Sequence, residues 1–332
     1  MPEVSVCVPT HNMDRYLAVA LESVLAQQGP EFELVVCDDA SSDTTPSICA
    51  RYAGPRVRYR RFEQRGGQAG NFNRCLSEAR GEFLTILHAD DYLLPGFLAD
   101  RVARLRAHPD AGFVFGAVRV VDAEGGEVSV DRHWPEDRKL ASRDAVLALL
   151  EACVVCPPSV MLRRSAADAA GPFRGDLTWG HDWEWAIRLA GTGSVLYHAQ
   201  PLAAYRVHEA SGTAELLRTA QNGAQERRIL EDSLARLSQA DPSYARARRA
   251  SLRALGLRHT YHAGQALARG QRPVARYNLR FALSADPWLA CRPGFLALAA
   301  ESFLGLPAYR AYERVRGALK AEPAAGSARA AR

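Results

Sequence analysis

Nowhere does the chain run to the roughly 18 consecutive apolar residues that a membrane-spanning helix needs. The nearest approach, from Trp288 to Leu306, is broken by Arg292, Pro293 and Glu301, which excludes a spanning segment. The N-terminal residues lack a basic stretch followed by an apolar core and a small-residue cleavage site, so no secretory leader is read and a cytoplasmic protein is expected. Cysteine is sparse and odd in number, with Cys7, Cys37, Cys49, Cys75, Cys153, Cys156 and Cys291 scattered mostly through apolar runs. That pattern excludes a disulfide framework and predicts reduced thiols. Cys153 and Cys156 make one C-x-x-C without a second pair or a histidine pair at ligand spacing, so two buried thiols are expected in place of a zinc site. No G-x-G-x-x-G follows the first apolar run; Gly66, Gly67 and Gly70 come later and at another spacing. A nicotinamide or flavin protein loses its main support.

What is present is an ordinary globular composition, 48% hydrophobic and 24% charged, with an uneven distribution of charge. The formal net charge is +5, yet residues 214–332 hold 20 basic against 9 acidic side chains, which leaves residues 1–213 net acidic. The two parts are expected to meet different partners, and the basic one is compatible with anionic lipid at the inner face of a membrane. Nucleic acid is not expected, because the arginines are spread over several helical patterns and form no block.

The first 120 residues alternate β-branched runs with helical patterns. Val4–Val8, Leu34–Cys37, Val57–Phe62, Phe83–Leu87 and Phe113–Val121 read as strands. Leu17, Leu21, Val24 and Leu25 share one helical face behind Asn12 and Asp14, and Ser42 or Asp43 is placed to cap the helix holding Ile48 and Tyr52. Strand–helix alternation predicts an α/β fold with a mostly parallel central sheet, whose ligands bind beyond the carboxyl ends of the strands. Those ends carry Pro9-Thr10-His11-Asn12, Asp38-Asp39 and His88-Ala89-Asp90-Asp91. Adjacent carboxylates at the end of a buried strand repel one another unless a cation or donors compensate, as a hard divalent metal bridging phosphates would. A helix N-cap ahead of Phe97 is the plainer alternative for Asp91.

From residue 214 the texture becomes helical, with Leu216–Leu237 and Ala245–Leu257 as examples, and Tyr261–Pro287 reads as a helix pair loosely like one tetratricopeptide unit. Three parts are expected: 1–213 as the α/β domain, 214–321 as a helical region and 322–332 as a disordered tail.

Taken in order, Val6-Cys7-Val8-Pro9-Thr10-His11-Asn12, Val35-Val36-Cys37-Asp38-Asp39-Ala40-Ser41-Ser42-Asp43 and Leu87-His88-Ala89-Asp90-Asp91 resemble the successive signatures of family 2 glycosyltransferases. Gly70-Asn71-Phe72-Asn73-Arg74-Cys75-Leu76 and Ala79-Arg80-Gly81-Glu82 resemble the family's link between its donor-base and metal sites. Trp179-Gly180-His181-Asp182-Trp183-Glu184-Trp185 is similar to its base-bearing helix, and Tyr205-Arg206-Val207-His208 to its Y-R-x-H segment. The resemblance covers roughly residues 3–210 and implies a GT-A nucleotide-binding fold and an inverting sugar transfer from a nucleotide-sugar donor.

By that resemblance Pro9, Thr10 and Asn12 line the nucleotide pocket, Asp39 accepts from the base, and Arg74 and Asp90 hold the nucleotide. Asp91, Asp90 and His208 serve Mg²⁺ or Mn²⁺, and Arg206 with His208 faces the diphosphate. Asp182 is the general base with Glu184 as the alternative, and Trp179 stacks on the acceptor sugar. Asn73 stands in the linking segment. His88 and His181 stand where the family carries acidic residues, a departure that lowers the negative charge of the site. A saccharide or lipid-linked acceptor is implied. A nucleotidyltransferase and a non-catalytic nucleotide-sugar-binding scaffold remain the alternatives, the former without the glycine-rich basic loop it needs after the first strand.

Overall fold

A computed structural model describes residues 1–209, 211 and 222–305. Four parallel strands form one half of the main sheet: β1 (Val4–Thr10), β2 (Phe32–Asp39), β3 (Val57–Phe62) and β4 (Phe83–Ile86). Their order is β3-β2-β1-β4, and the register pairs Thr10 with Asp38, Asp39 with Phe62, and Cys7 with Ile86. The polar residues that end each strand are thereby brought to one edge of the sheet. Helices α1 (Asp14–Leu25), α2 (Thr45–Arg51) and α3 (Gly67–Glu78) connect these strands.

β1 and β2 are buried along their whole length, as expected of strands covered on both faces. Val4, Val6 and Val8 pack with Leu17, Leu21 and Val24 of α1, whereas Cys7, on the alternate face, donates its thiol to the Cys75 carbonyl of α3 at 3.4 Å.

The sheet continues through β10 (Met161–Arg163), β6 (Ala111–Gly116), β11 (Ser194–His198) and β9 (Arg138–Leu140) to eight strands. β10 and β9 run antiparallel to their neighbours. A four-stranded sheet, in the order β5-β12-β7-β8, is built from β5 (Tyr92–Leu93), β7 (Val118–Val121), β8 (Glu127–Asp131) and β12 (Ala203–Arg206). The run Phe113–Val121, expected as a single strand, is divided at Ala117 between the two sheets. Helices α4 (Phe97–Ala107), α5 (Ser142–Glu151), α6 (Arg164–Ala170) and α7 (His181–Ala190) complete this part. Asp43 accepts from Thr45 N at the start of α2, whereas Tyr52 lies just past that helix.

Two compact units emerge: Met1–Ser211 with Ile229–Ala247, and Gly212–Arg228 with Arg248–Arg332. Ile229–Ala247, which the sequence assigns to the C-terminal region, belongs to the first unit. There Asp232 pairs with Arg174 at 2.8 Å and Asp241 with Arg143 at 2.6 Å. In the second unit α9 (Arg248–Ala268) and α10 (Arg272–Ala285) form an antiparallel pair turning at Gly270, whose φ of +73° suits glycine. They are followed by α11 (Pro293–Leu304), and α8 (Asn222–Ala240) precedes them. α9 is one helix through 248–268, so residues 248–257 of the expected helix Ala245–Leu257 and the first half of the expected helix pair are parts of the same element, while 245–247 belong to the short helical turn Pro242–Ala247 before it. Residues 216–221 and the expected tail at 322–332 lie outside the described residues.

All seven cysteines are free thiols. Cys153 is exposed and Cys156 half-buried, which corrects the expectation of two buried thiols in the C-x-x-C. No helix among the described residues is long and apolar enough to cross a membrane.

Candidate active site

β4 delivers His88, Asp90 and Asp91 to the sheet edge just after Ile86. One ligand atom from each lies within 4.8 Å of the others. Asp91 is 1% exposed: its Oδ1 accepts from the Arg206 backbone N–H at 2.8 Å, while Oδ2 has no hydrogen-bond partner. Burial, and then the charge of Asp90, push the Asp91 carboxyl well above the usual carboxylate range. A buried carboxylate oxygen left without a donor is costly, and a cation beside it removes the cost. His88 Nδ1 is 3.9 Å from that same oxygen, and its ring stacks on Phe72 at 5.4 Å. The donor set of one imidazole and two carboxylates fits a divalent metal. His208 approaches the group through Asp90, its Nε2 3.1 Å from Asp90 Oδ2 and its ring 4.9 Å from that of Tyr16.

The ends of β1 and β2 are laced together. Asn12, held at φ +52°, accepts from Ser42 N at 2.8 Å, and its own N–H donates to Ser41 Oγ. Pro9 and Thr10 are buried, and Thr10 Oγ1 is without a partner. Asp39 receives N–H groups from Gly66 at 2.6 Å and Gly67 at 3.0 Å, and Arg74 at 2.5 Å. It therefore caps the start of α3 from the neighbouring strand, a favourable place for a carboxylate. An ionised carboxylate accepts about four hydrogen bonds, so room for a further donor remains. Arg74 lies over the Phe62 ring at 4.2 Å.

Asp182 opens α7 and lines, together with His88, a cavity of about 50 Å³ whose other walls include Phe72, Phe173 and Trp185. That volume suits a few waters and not a sugar. One Asp182 oxygen accepts from Trp183 N at 2.8 Å. His181 is buried against Phe72 with Nδ1 unpartnered, and burial lowers its pKa, so the imidazole is neutral at pH 7.

Three expected site residues are engaged by other parts of the protein. Glu184, 3% exposed, is held by the Arg188 guanidinium at 2.7–3.0 Å. Asn73 exchanges hydrogen bonds with the backbone of Phe173 at 2.8 and 2.9 Å, fixing the loop ahead of α7. Arg206 is buried and directs its guanidinium to the carbonyls of Asp90, Asp122 and Ala123, so it braces the acidic loop. Trp179 is half-buried before α7, and the tryptophan lining the cavity beside Asp182 is Trp185.

One residue escaped the sequence reading. Asn71, 3% exposed, donates to the carbonyls of Cys37 and Thr10 and so clamps β1 to β2 at the site edge. Its signal was a polar side chain on the α3 face that also carries Cys75, one turn away.

An α/β sheet thus carries a candidate cation-binding group, His88, Asp90 and Asp91, at one strand end, and His88 shares a cavity with the Asp182 carboxylate. The comparisons with known proteins give the family: the profile described as Glycosyl transferase family 2 matches residues 5–171. A protein of Mycobacterium tuberculosis, MT1568, is 34% identical over 242 residues, 69% of this chain and 75% of its own length. The succinoglycan biosynthesis protein ExoO of Rhizobium meliloti is 33% identical over 131 residues, 40% of this chain and 33% of its own. Among solved structures, S. aureus TarS 1-349 in complex with UDP-GlcNAc superposes with a TM-score of 0.66 at 19% identity, covering 94% of this chain and 92% of that one. The mannosyltransferase PcManGT of Pyrobaculum calidifontis, in complex with GDP-Man and Mn²⁺, gives 0.52 at 23% identity, covering 86% of each. The chain belongs to glycosyl transferase family 2 and has the GT-A fold.

Proposed function

We propose that the chain is an inverting glycosyltransferase that takes a sugar from a UDP-sugar to a hydroxyl of a saccharide or lipid-linked acceptor, in the synthesis of a cell-surface polysaccharide or glycolipid. The observation that carries this reading is the buried Asp91 Oδ2, without a hydrogen-bond donor and grouped with His88 and Asp90. UDP is favoured by the UDP-GlcNAc complex of the TarS fragment, and a polysaccharide product by the succinoglycan biosynthesis relative.

Asp90 and Asp91, with His88, hold Mg²⁺ or Mn²⁺, which when bound neutralises charge on the donor's diphosphate. Pro9, Thr10, Asn12, Asp39 and Arg74 receive the nucleotide at the β1 and β2 ends. Asp182 takes the proton of the acceptor hydroxyl as that oxygen bonds to the anomeric carbon. The bond from that carbon to the diphosphate breaks with its electron pair, the nucleoside diphosphate leaves, and attack from the opposite face inverts the configuration.

A panel of nucleotide sugars, with and without Mn²⁺, read by release of free nucleotide, tests the reading. Metal-dependent release from a UDP-sugar is expected. Asp182→Asn should lose about 10²–10⁴-fold in turnover and keep nucleotide affinity, as loss of a general base does. Asp91→Ala should instead weaken metal-dependent nucleotide binding. Full turnover by Asp182→Asn would remove the assigned base.

A further inference from the structure

We propose that Arg249, Arg253 and Arg292 form a binding site for a phosphoryl group in the second unit, independent of the sugar-transfer reading. The three arginines line one open cavity of about 190 Å³ together with Asp286 and Trp288. Arg249 and Arg253 are one turn apart on α9 and so share a face. Arg292 stands at the N-cap position of α11, where the short helical turn Pro287–Cys291 ends.

A close contact fixes this convergence. A Cβ on Gly256 would lie 2.7 Å from Leu289 Cδ1 and 3.1 Å from the Ala282 carbonyl, so glycine lets α9 approach closely the turn that carries Trp288 and Arg292. Leu289 is 1% exposed and anchors that turn in the core of the second unit.

The electrostatics distinguish these arginines from their neighbours. Arg258 pairs with Glu226 at 2.9 Å, Arg276 donates to the Ser302 carbonyl at 2.8 Å and lies over Phe303, and Arg227 reaches Ser284 and Phe281. Arg249, Arg253 and Arg292 make no ion pair, hydrogen bond or ring contact of this kind among the described residues. The only carboxylate lining the cavity among the described residues, Asp286, accepts from the backbone N–H of Trp288 at 3.1 Å. Among the described residues, three guanidiniums against one carboxylate leave two uncompensated positive charges around this open cavity.

A phosphate monoester brings up to two negative charges and three acceptor oxygens, which match that excess and the forked donors of arginine. A single carboxylate would leave one charge uncompensated. Trp288, 70% exposed, supplies a flat apolar wall at the rim. The phosphoryl group has two possible sources, a lipid headgroup or a soluble phosphate, and the chemistry of recognition is the same for both.

The test uses the full chain. Inorganic phosphate is titrated by calorimetry, and phosphatidic acid is presented in phosphatidylcholine vesicles for co-sedimentation. The Arg249→Gln, Arg253→Gln, Arg292→Gln triple variant is compared with a control, Arg269→Gln, Arg272→Gln, Arg280→Gln, that removes equal charge from the same unit. The site variant should bind at least roughly tenfold more weakly, as loss of charge-assisted hydrogen bonds implies, and the control should bind like the parent. Binding of inorganic phosphate without enrichment on phosphatidic acid vesicles identifies a soluble ligand, and enrichment on the vesicles, with or without inorganic phosphate binding, identifies a headgroup. Absence of both, or an equal loss in site variant and control, overturns the proposal.

Discussion

Arg206 shows how one residue can shape a site by bracing its loop. Its backbone N–H holds Asp91 Oδ1, its Nε–H holds the Asp90 carbonyl, and its terminal nitrogen bridges the Asp122 and Ala123 carbonyls. The guanidinium also lies over Tyr16 at 4.8 Å and Tyr92 at 5.7 Å. Arg206→Met should leave these carbonyls unpaired, at about 1–3 kcal/mol each, and loosen the acidic loop. A lower melting temperature together with weaker Mn²⁺ binding by calorimetry is expected. Arg206→Lys should recover little, because a point charge cannot reach all three carbonyls. Parental Mn²⁺ affinity in the methionine variant would show that the loop needs no brace. The neighbouring pair on α7 divides in the same way. Glu184→Gln breaks a buried ion pair with Arg188 and should lower the melting temperature while turnover stays within a few fold, the reverse of Asp182→Asn. A collapse of turnover in folded Glu184→Gln would return Glu184 to the chemistry.

At the scale of elements, the turn into β4 depends on Gly81. A Cβ there would lie 2.6 Å from Ser5 N and 2.7 Å from the Val4 carbonyl carbon, inside the backbone of β1. Gly81 N and Arg80 N both donate to Ser5 Oγ, and Arg80 N also donates to Glu33 Oε1, so this turn sets the register of β4 against β1. Gly81→Ala should therefore cost about 1–3 kcal/mol or more, seen as a lower denaturation midpoint. An unchanged midpoint would mean that the turn relaxes freely. The strands at this edge were legible because buried parallel strands read as continuous apolar runs that stop at polar residues. The break in Phe113–Val121 was not, because Ala117 is as apolar as its neighbours and the change of sheet leaves no polar mark. The exposed β8 carries no apolar run either. Asp90, Asp91 and Asp182 stood out by local pattern, whereas the commitments of Asn73 and Arg206 depend on partners about 100 residues away, which local sequence does not reveal.

For the molecule as a whole, part of the pH response is expected from the second unit. Burial, and then the nearby charge of His259, push His262 down to about 4 from an ordinary 6.5. A histidine depressed on folding contributes stability that is complete above its unfolded pKa and is lost as pH falls toward the folded value. The first window thus runs from pH 6.5 down to about 4. Glu226 follows: burial raises its pKa, but His259, with Nε2 3.6 Å away, and Arg258 at 2.9 Å outweigh that and bring it to about 2. Its contribution is present above 4.5 and is lost as pH falls toward 2. Melting followed from pH 7.5 to 3 should therefore show a first loss of stability before any ordinary carboxylate titrates. His262→Asn should make the curve less steep between pH 6.5 and 4 and leave most of the lower limb in place, because Arg258 stays beside Glu226 at 2.9 Å. A curve as steep in that variant as in the parent would place the acid sensitivity elsewhere, among groups whose environment does not depend on this helix pair.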